Sequence, residues 1–372
     1  MSTKPHQFEM KASELGCTLI SYSFGVGILT LPRDLASRLD TPDGWMTVLL
    51  AGVVIMALIY LCVALQKNFT RENVFEYLLK GPFSKWIAFL LVPIFIIYFI
   101  FTSAVVLRYF GIASKMYLLD QTPTEVLVMA MLVISAYAAS KGIEGIIFLN
   151  ILFVPTIVSA LIGVSILNIG NVEVEKVLPV MPEGVFHMFD GIFIPLFALN
   201  SVVPLFFLLG FLHKKEVKST PLMASMGITS LIYSIIVIIT YTIFSVETSK
   251  IIVFPTIEVA KEIELGGIFE RVESIFLAIW VLSIFTSVML LFFLSVQVTR
   301  EIFLTNKQTP WLPGVFAFII FLVTFFPENE AELQSFVEYL NYSGLLLILT
   351  VLLVTGITIA VRKKQENKSL ST

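Results

Sequence analysis

Apolar residues gather along this chain in ten long runs, parted by short stretches where charged residues and prolines collect. A helix that crosses a bilayer needs about 20 mostly apolar residues. The runs fall at 13–39, 44–66, 83–112, 123–140, 145–168, 186–212, 221–245, 270–303, 311–327 and 335–361. The fourth and ninth are short, and the third and eighth are long enough to tilt or project. The pattern predicts an all-α polytopic membrane protein with ten transmembrane helices. It forms a single membrane domain over 1–372, with polar tails at 1–12 and 362–372.

Two of the runs are interrupted in corresponding places. The first is broken by Gly25-Val26-Gly27, and the sixth is bracketed by Pro195 and Pro204 around Asn200-Ser201. Split into two groups of five, these are the opening helices of each half. Paired interruptions of this kind point to a 5+5 inverted repeat with discontinuous helices 1 and 6 and a midplane ligand site. Repeat one covers about 13–168 and repeat two about 186–361.

Composition agrees with a membrane chain: 57% hydrophobic, 14% charged and a mean hydropathy of +0.93, against about 25% charged residues in a soluble domain. With ten spans both termini share one side. That side holds 16 of the 24 basic residues but 8 of the 27 acids, so the excess of Lys and Arg predicts cytoplasmic termini. Residues 1–12 are polar and the first apolar run is a full span, so no cleavable leader is expected. Cys17 and Cys62 both lie in apolar runs and offer neither a disulfide framework nor a CxxC motif. Three histidines make a His-rich metal site unexpected.

At the first break, Gly25 and Gly27 suit two arrangements. An unwound turn would expose carbonyls for an ammonium and N–H groups for a carboxylate. A close helix-packing face would use the same glycines for contact. In the sixth run, the two prolines each remove a backbone bond. Asn200 and Ser201 are then polar groups at midplane depth, facing the bundle interior. The third run adds Tyr98, Thr102 and Ser103, with Tyr98 and Thr102 on one face. The eighth adds Ser283, Thr286 and Ser287, with Leu290 and Leu291 a turn on. Lone hydroxyls in such helices often bond back to their own carbonyls.

Ionisable groups are missing from residues 146–168, and from the eighth run between Glu273 and Arg300. Proton-coupled carriers place such groups at depth, so proton coupling is not expected. Glu144 and Asp190 stand near helix starts, where the dipole favours a carboxylate. His187 lies at a membrane boundary. Between 246 and 269, Pro255, Ile257, Ala260, Ile263 and Ile268 alternate with Glu258, Lys261, Glu262 and Glu264, predicting a short surface helix that covers the interface or caps a vestibule. No triad, P-loop or zinc motif is present in the sequence, so no enzyme, metal or cofactor is expected, and no nucleic-acid partner.

Three stretches carry a family resemblance. They are Gly25-Val26-Gly27-Ile28-Leu29-Thr30-Leu31-Pro32-Arg33, then Thr41-Pro42-Asp43-Gly44-Trp45, and last Phe254 to Glu258 continuing through Leu265-Gly266-Gly267-Ile268-Phe269-Glu270 to Trp280. Over essentially its full length the chain resembles the membrane-spanning B subunits of bacterial spore germinant receptors, within the amino acid–polyamine–organocation transporter superfamily. The resemblance implies nutrient sensing in the inner membrane of a dormant spore. It also implies two partners: an A subunit, largely cytoplasmic with membrane segments of its own, and a lipoprotein C subunit on the outer side. It implies a ligand shell of Gly25, Val26, Gly27, Tyr98, Thr102, Ala198, Leu199, Asn200, Ser201, Thr286, Ser287 and Leu291. One departure is notable: many members carry a glutamate just after the sixth-helix break, where this chain reads Asn200-Ser201-Val202-Val203. The expected function is sensing of a small nutrient such as an amino acid, the alternatives being an amino acid permease or a ligand-gated ion or water conduit.

Overall fold

The computed structural model describes residues 9–69, 72–81, 84–263, 271–304 and 309–370. The motif stretch Leu265 to Glu270, Glu264 and Ile268 therefore lie outside the described residues, as does the side chain of Val26.

Among the described residues, twelve of fourteen α-helices build ten spans and two short ones connect them. The first span is α1 (Ala12–Gly27) followed by α2 (Leu31–Leu39), and the second is α3 (Gly44–Gln66). A short helix, α4 (Val74–Leu79), precedes α5 (Ser84–Tyr117), α6 (Thr124–Ala139) and α7 (Gly142–Leu167), which are spans three to five. The sixth span is again split, into α8 (Phe193–Ala198) and α9 (Val202–Leu208). Span seven is α10 (Ser219–Ile251), interrupted at Ser245, where φ is 67°. A second short helix, α11 (Pro255–Lys261), leads to α12 (Val272–Ile302), α13 (Leu312–Thr324) and α14 (Glu330–Leu370). The two short connecting helices stand in matching positions, after spans two and seven, and hence on opposite faces. That is what an inverted repeat requires.

The breaks have identifiable causes. The first span was expected to open at Gly25-Val26-Gly27; instead α1 runs through Gly27 and the turn falls at residues 28–30. Pro32 explains the displacement. It has no N–H to give the Ile28 carbonyl four residues back, and Thr256 of α11 donates its hydroxyl to that carbonyl instead, at 2.7 Å. The sixth span starts later than residue 186. Residues 185–191 form a 3-10 turn, and Pro195 is tolerated because the first helical turn needs no backbone partner. Pro204 likewise cannot donate to the carbonyl of Asn200, and the chain is non-helical from Leu199 to Ser201. α5 reaches Tyr117, past the expected end at 112, and α14 begins at Glu330, ahead of 335.

Span seven braces span one on both sides of its break. Tyr233 donates its hydroxyl to Ser23 O at 2.5 Å, and Tyr241 donates to Pro32 O at 2.9 Å. Each short helix docks on the broken span of the other repeat. α4 stacks Phe75 on Phe207 of α9, with centroids 4.7 Å apart. α11 meets the first break through Thr256. Pro255, Ile257, Ala260 and Ile263 are buried, and two side-chain amides just past α7 hold carbonyls in and just after α11: Asn168 to Val259 O and Asn171 to Glu262 O, each 2.9 Å. The described part of the amphipathic stretch is thus docked on the bundle rather than lying loose at the interface.

Candidate functional site

The two breaks touch. A Cβ built on Gly27 would lie 2.7 Å from Ala198 Cβ, so the end of α1 and the end of α8 approach as closely as a glycine allows. Gly25 packs against α12 instead, where a Cβ would meet Ser287 Oγ at 2.1 Å and Ser283 O at 2.7 Å. Both glycines therefore serve close helix packing, and the loosened backbone lies one turn on.

Above this contact, on the side opposite the termini, lies a cavity of about 290 Å³. Gly27 and Ala198 line its inner end, Thr30 and Asp34 come from the start of α2, and Gln334, Glu338 and Asn341 come from α14. Gln334 donates to Asp34 Oδ1 at 3.4 Å. Arg38 also lines the cavity, with Nε donating to Asp190 O at 3.1 Å. Arg33 is turned to Glu330 in an ion pair.

The other expected site residues fall in layers around this cavity. Asn200 is buried and donates through Nδ2 to the Tyr98 hydroxyl at 3.1 Å. Gly344 of α14 makes room for that pair: a Cβ there would lie 2.7 Å from Asn200 Nδ2 and 2.8 Å from Tyr98 Oη. Thr102 and Ser103 bond back to the carbonyls of Tyr98 and Phe99, at 2.8 and 2.7 Å. Ser201 turns away, donating to Met226 Sδ at 3.0 Å.

On the α12 side the hydroxyls seal span one. Thr286 and Ser21 share a 2.6 Å hydrogen bond, while Ser283 donates to Ser21 O at 3.0 Å and Ser287 to Tyr22 O at 3.2 Å. Leu199 and Leu291 are fully buried in the core. Of the expected residues, Gly27 and Ala198 reach the cavity, whereas Thr286 and Ser287 are bonded to α1 and Leu291 is buried in the core.

The polar residues of the cavity that were not anticipated include Asp34, Gln334, Glu338 and Asn341. The last three lie at i, i+4 and i+7 in the first part of α14, one helix face, and that spacing was the available signal. His187 is more than interfacial. Its Nε2 is 2.6 Å from Leu39 O, and Nδ1 is 3.3 Å from Glu183 Oε2 and 3.2 Å from Asp190 Oδ2. The ring thus joins the end of α2 to the turn before α8. It lies outside the membrane-spanning helices. The Leu39 carbonyl above all, then Glu183 and Asp190, raise its pKa above the ordinary histidine value.

Ten spans in two inverted groups of five, each group opening with a broken helix, define a transporter-like membrane protein. Residues 10–333 match the spore permease family, described as spore germination protein, and the chain belongs to that family. It is 26% identical over 315 residues to spore germination protein YndE of Bacillus subtilis (strain 168), covering 84% of this chain and 86% of that protein. It is 28% identical over 324 residues to spore germination protein A2 of the same organism, covering 86% and 87%. Among solved structures the fold is similar to Mhp1, a nucleobase-cation-symport-1 family transporter, in a closed conformation with bromovinylhydantoin bound. The TM-score is 0.64 at 11% identity, covering 91% of this chain and 78% of that one. At that identity the likeness concerns the fold alone.

Proposed function

We propose that this chain is the nutrient-sensing subunit of a spore germination receptor. It binds a small nutrient such as an amino acid beside the breaks of spans one and six and signals to partner subunits without carrying out chemistry on it. The observation that carries this reading is the 290 Å³ cavity whose inner end is the Gly27–Ala198 contact. A ligand there touches both discontinuous helices, and a sensor needs only a different affinity for two arrangements of them. The partners are a germinant-receptor A subunit and a lipoprotein C subunit. The setting is the inner membrane of the spore with both termini in the cytoplasm, in keeping with the excess of Lys and Arg on that side.

The transporter-like fold favours one second reading, an amino acid permease. Reconstitution separates the two. The purified receptor in vesicles should bind nutrient without moving it; accumulation of labelled nutrient would make the chain a carrier, and nutrient-triggered ion or water permeation would make it a conduit.

A further inference from the structure

We propose that the terminus-side ends of α5 and α14 form a site for the headgroup of an anionic phospholipid, whose acyl chains lie along the first turns of α5. The site is separate from the cavity at the breaks and stands whether or not that cavity takes a nutrient.

The first observation is that the two helix ends are packed together around a cation. Gly81, just past α4, lies against Arg362 of α14. A Cβ there would stand 2.9 Å from Arg362 Nη2 and 2.3 Å from the Oγ of Ser84, the first residue of α5. Arg362 donates to Tyr77 O at 3.0 Å and lies over the Tyr77 ring. That ring stacks on Phe69, with centroids 4.3 Å apart. Among the described residues, the guanidinium is thus placed by an aromatic ring and a carbonyl, and its charge is left without a carboxylate partner.

The second observation is the charge beside that junction and the wall that adjoins it. Lys85 follows Ser84, and its backbone N–H bonds Gly81 O at 3.1 Å. Lys363 and Lys364 follow Arg362 within about 3 Å of helix rise. All three lysines are exposed, and none has an ion-pair partner among the described residues. The nearby acids are engaged elsewhere: Glu72 pairs with Lys80, and Glu76 accepts from Asn73 N in the cap of α4. Four cations at one junction attract an anion. Directly beyond Lys85, the side chains of Trp86, Phe89 and Leu90 are exposed, Trp86 to 76%. They make a wall that belongs in hydrocarbon, with the indole at its edge. A molecule that meets both features carries an anionic head and apolar chains. Free phosphate would gain the charge without the wall, and the ammonium of a zwitterionic lipid would be repelled.

The test is quenching of Trp86 fluorescence in the full-length purified protein in phosphatidylcholine nanodiscs, read as the difference from Trp86→Phe. Bromine on the acyl chains of phosphatidylglycerol or of phosphatidylcholine reports which lipid sits at the indole. Brominated phosphatidylglycerol should half-quench at a mole fraction lower by about fivefold or more, since each lysine near an anionic surface contributes about that factor. Lys85→Gln with Lys363→Gln and Lys364→Gln should abolish the preference. Quenching by brominated phosphatidylcholine should be unchanged in that variant, which keeps the helix seated in the bilayer. Equal quenching by the two lipids, or a preference that survives in the triple variant, overturns the proposal. Displacement of the phosphatidylglycerol by inorganic phosphate at matched ionic strength would make this a phosphate site and overturns the lipid assignment as well.

Discussion

Replacing Gly27 with alanine is the most direct perturbation of the junction between the two breaks. The added Cβ would stand 2.7 Å from Ala198 Cβ and 3.1 Å from Ala198 Cα. Carbon atoms rest at about 3.5–4.0 Å, so the half-helices must part by roughly 1 Å. The first span does not move freely: Thr256 holds Ile28 O and Tyr241 holds Pro32 O just beyond the turn. Overpacking of this kind costs about 1–3 kcal/mol. Gly27→Ala should therefore lower the melting temperature of the purified protein and, since Gly27 lines the cavity, weaken ligand binding. Ala198→Gly removes the opposing methyl, at about 0.5–1 kcal/mol for the extra glycine. Combined with Gly27→Ala it should return part of the loss, leaving the 3.1 Å approach to Cα as the residue of strain. A cycle of thermal unfolding measurements on the four proteins should yield a coupling of about 1 kcal/mol or more. Additive effects, or a Gly27→Ala protein that melts and binds like the parent, would refute the close approach.

Gly25→Leu should reduce the amount of folded protein in the membrane, because its side chain would enter the space of Ser287 and Ser283; normal abundance with a normal nutrient response would remove this contact from the account. Asn200→Leu loses the bond to Tyr98, at about 1 kcal/mol of stability, so the melting temperature of the purified protein should fall, and an unchanged melting temperature would count against it. Ligand affinity should change little when sodium is replaced by a bulky organic cation, since protein hydroxyls already serve the carbonyls of Ser21 and Tyr22; a loss of about tenfold would favour an ion-coupled carrier. His187, whose protonated form is favoured in the folded protein, contributes stability in full below its unfolded value of about 6.5 and loses it as pH rises through the higher folded value. Melting temperature should fall over that window, and His187→Gln should flatten the profile; a parallel fall in the variant would acquit the histidine.

The spans were legible because each is a long apolar run: α3 occupies the expected 44–66 without a residue of difference. The breaks were legible in kind but not in place. Glycines permit a break, whereas Pro32 enforces one by withholding a donor, and the turn lies just ahead of the proline. The packing of Gly25 on Ser287 was left open by the sequence, since the same residue suits unwinding or contact. Least legible was the cavity. Asp34 lies in the first run, and Glu338 and Asn341 lie some 300 positions away along the chain. Nothing local to either helix signals that they share a wall. His187 was read from its position alone, while its partners come from α2 and the preceding turn.

The two connecting helices close the molecule into a mechanical loop. α4 grips α9 through Phe75 and Phe207 and also receives the far end of α14, where Arg362 donates to Tyr77 O at 3.0 Å and lies 4.1 Å from the Tyr77 ring centre. α11 grips the first break, and α14 passes both breaks on its way back to α4. A tilt begun at the junction of the broken spans is thus geared to both faces of the membrane at once, with α4 and the end of α14 as the levers on the terminus side. Amide exchange in α4 and α11 should therefore slow or quicken together when ligand binds, and a response confined to one of them would mean that the gearing slips.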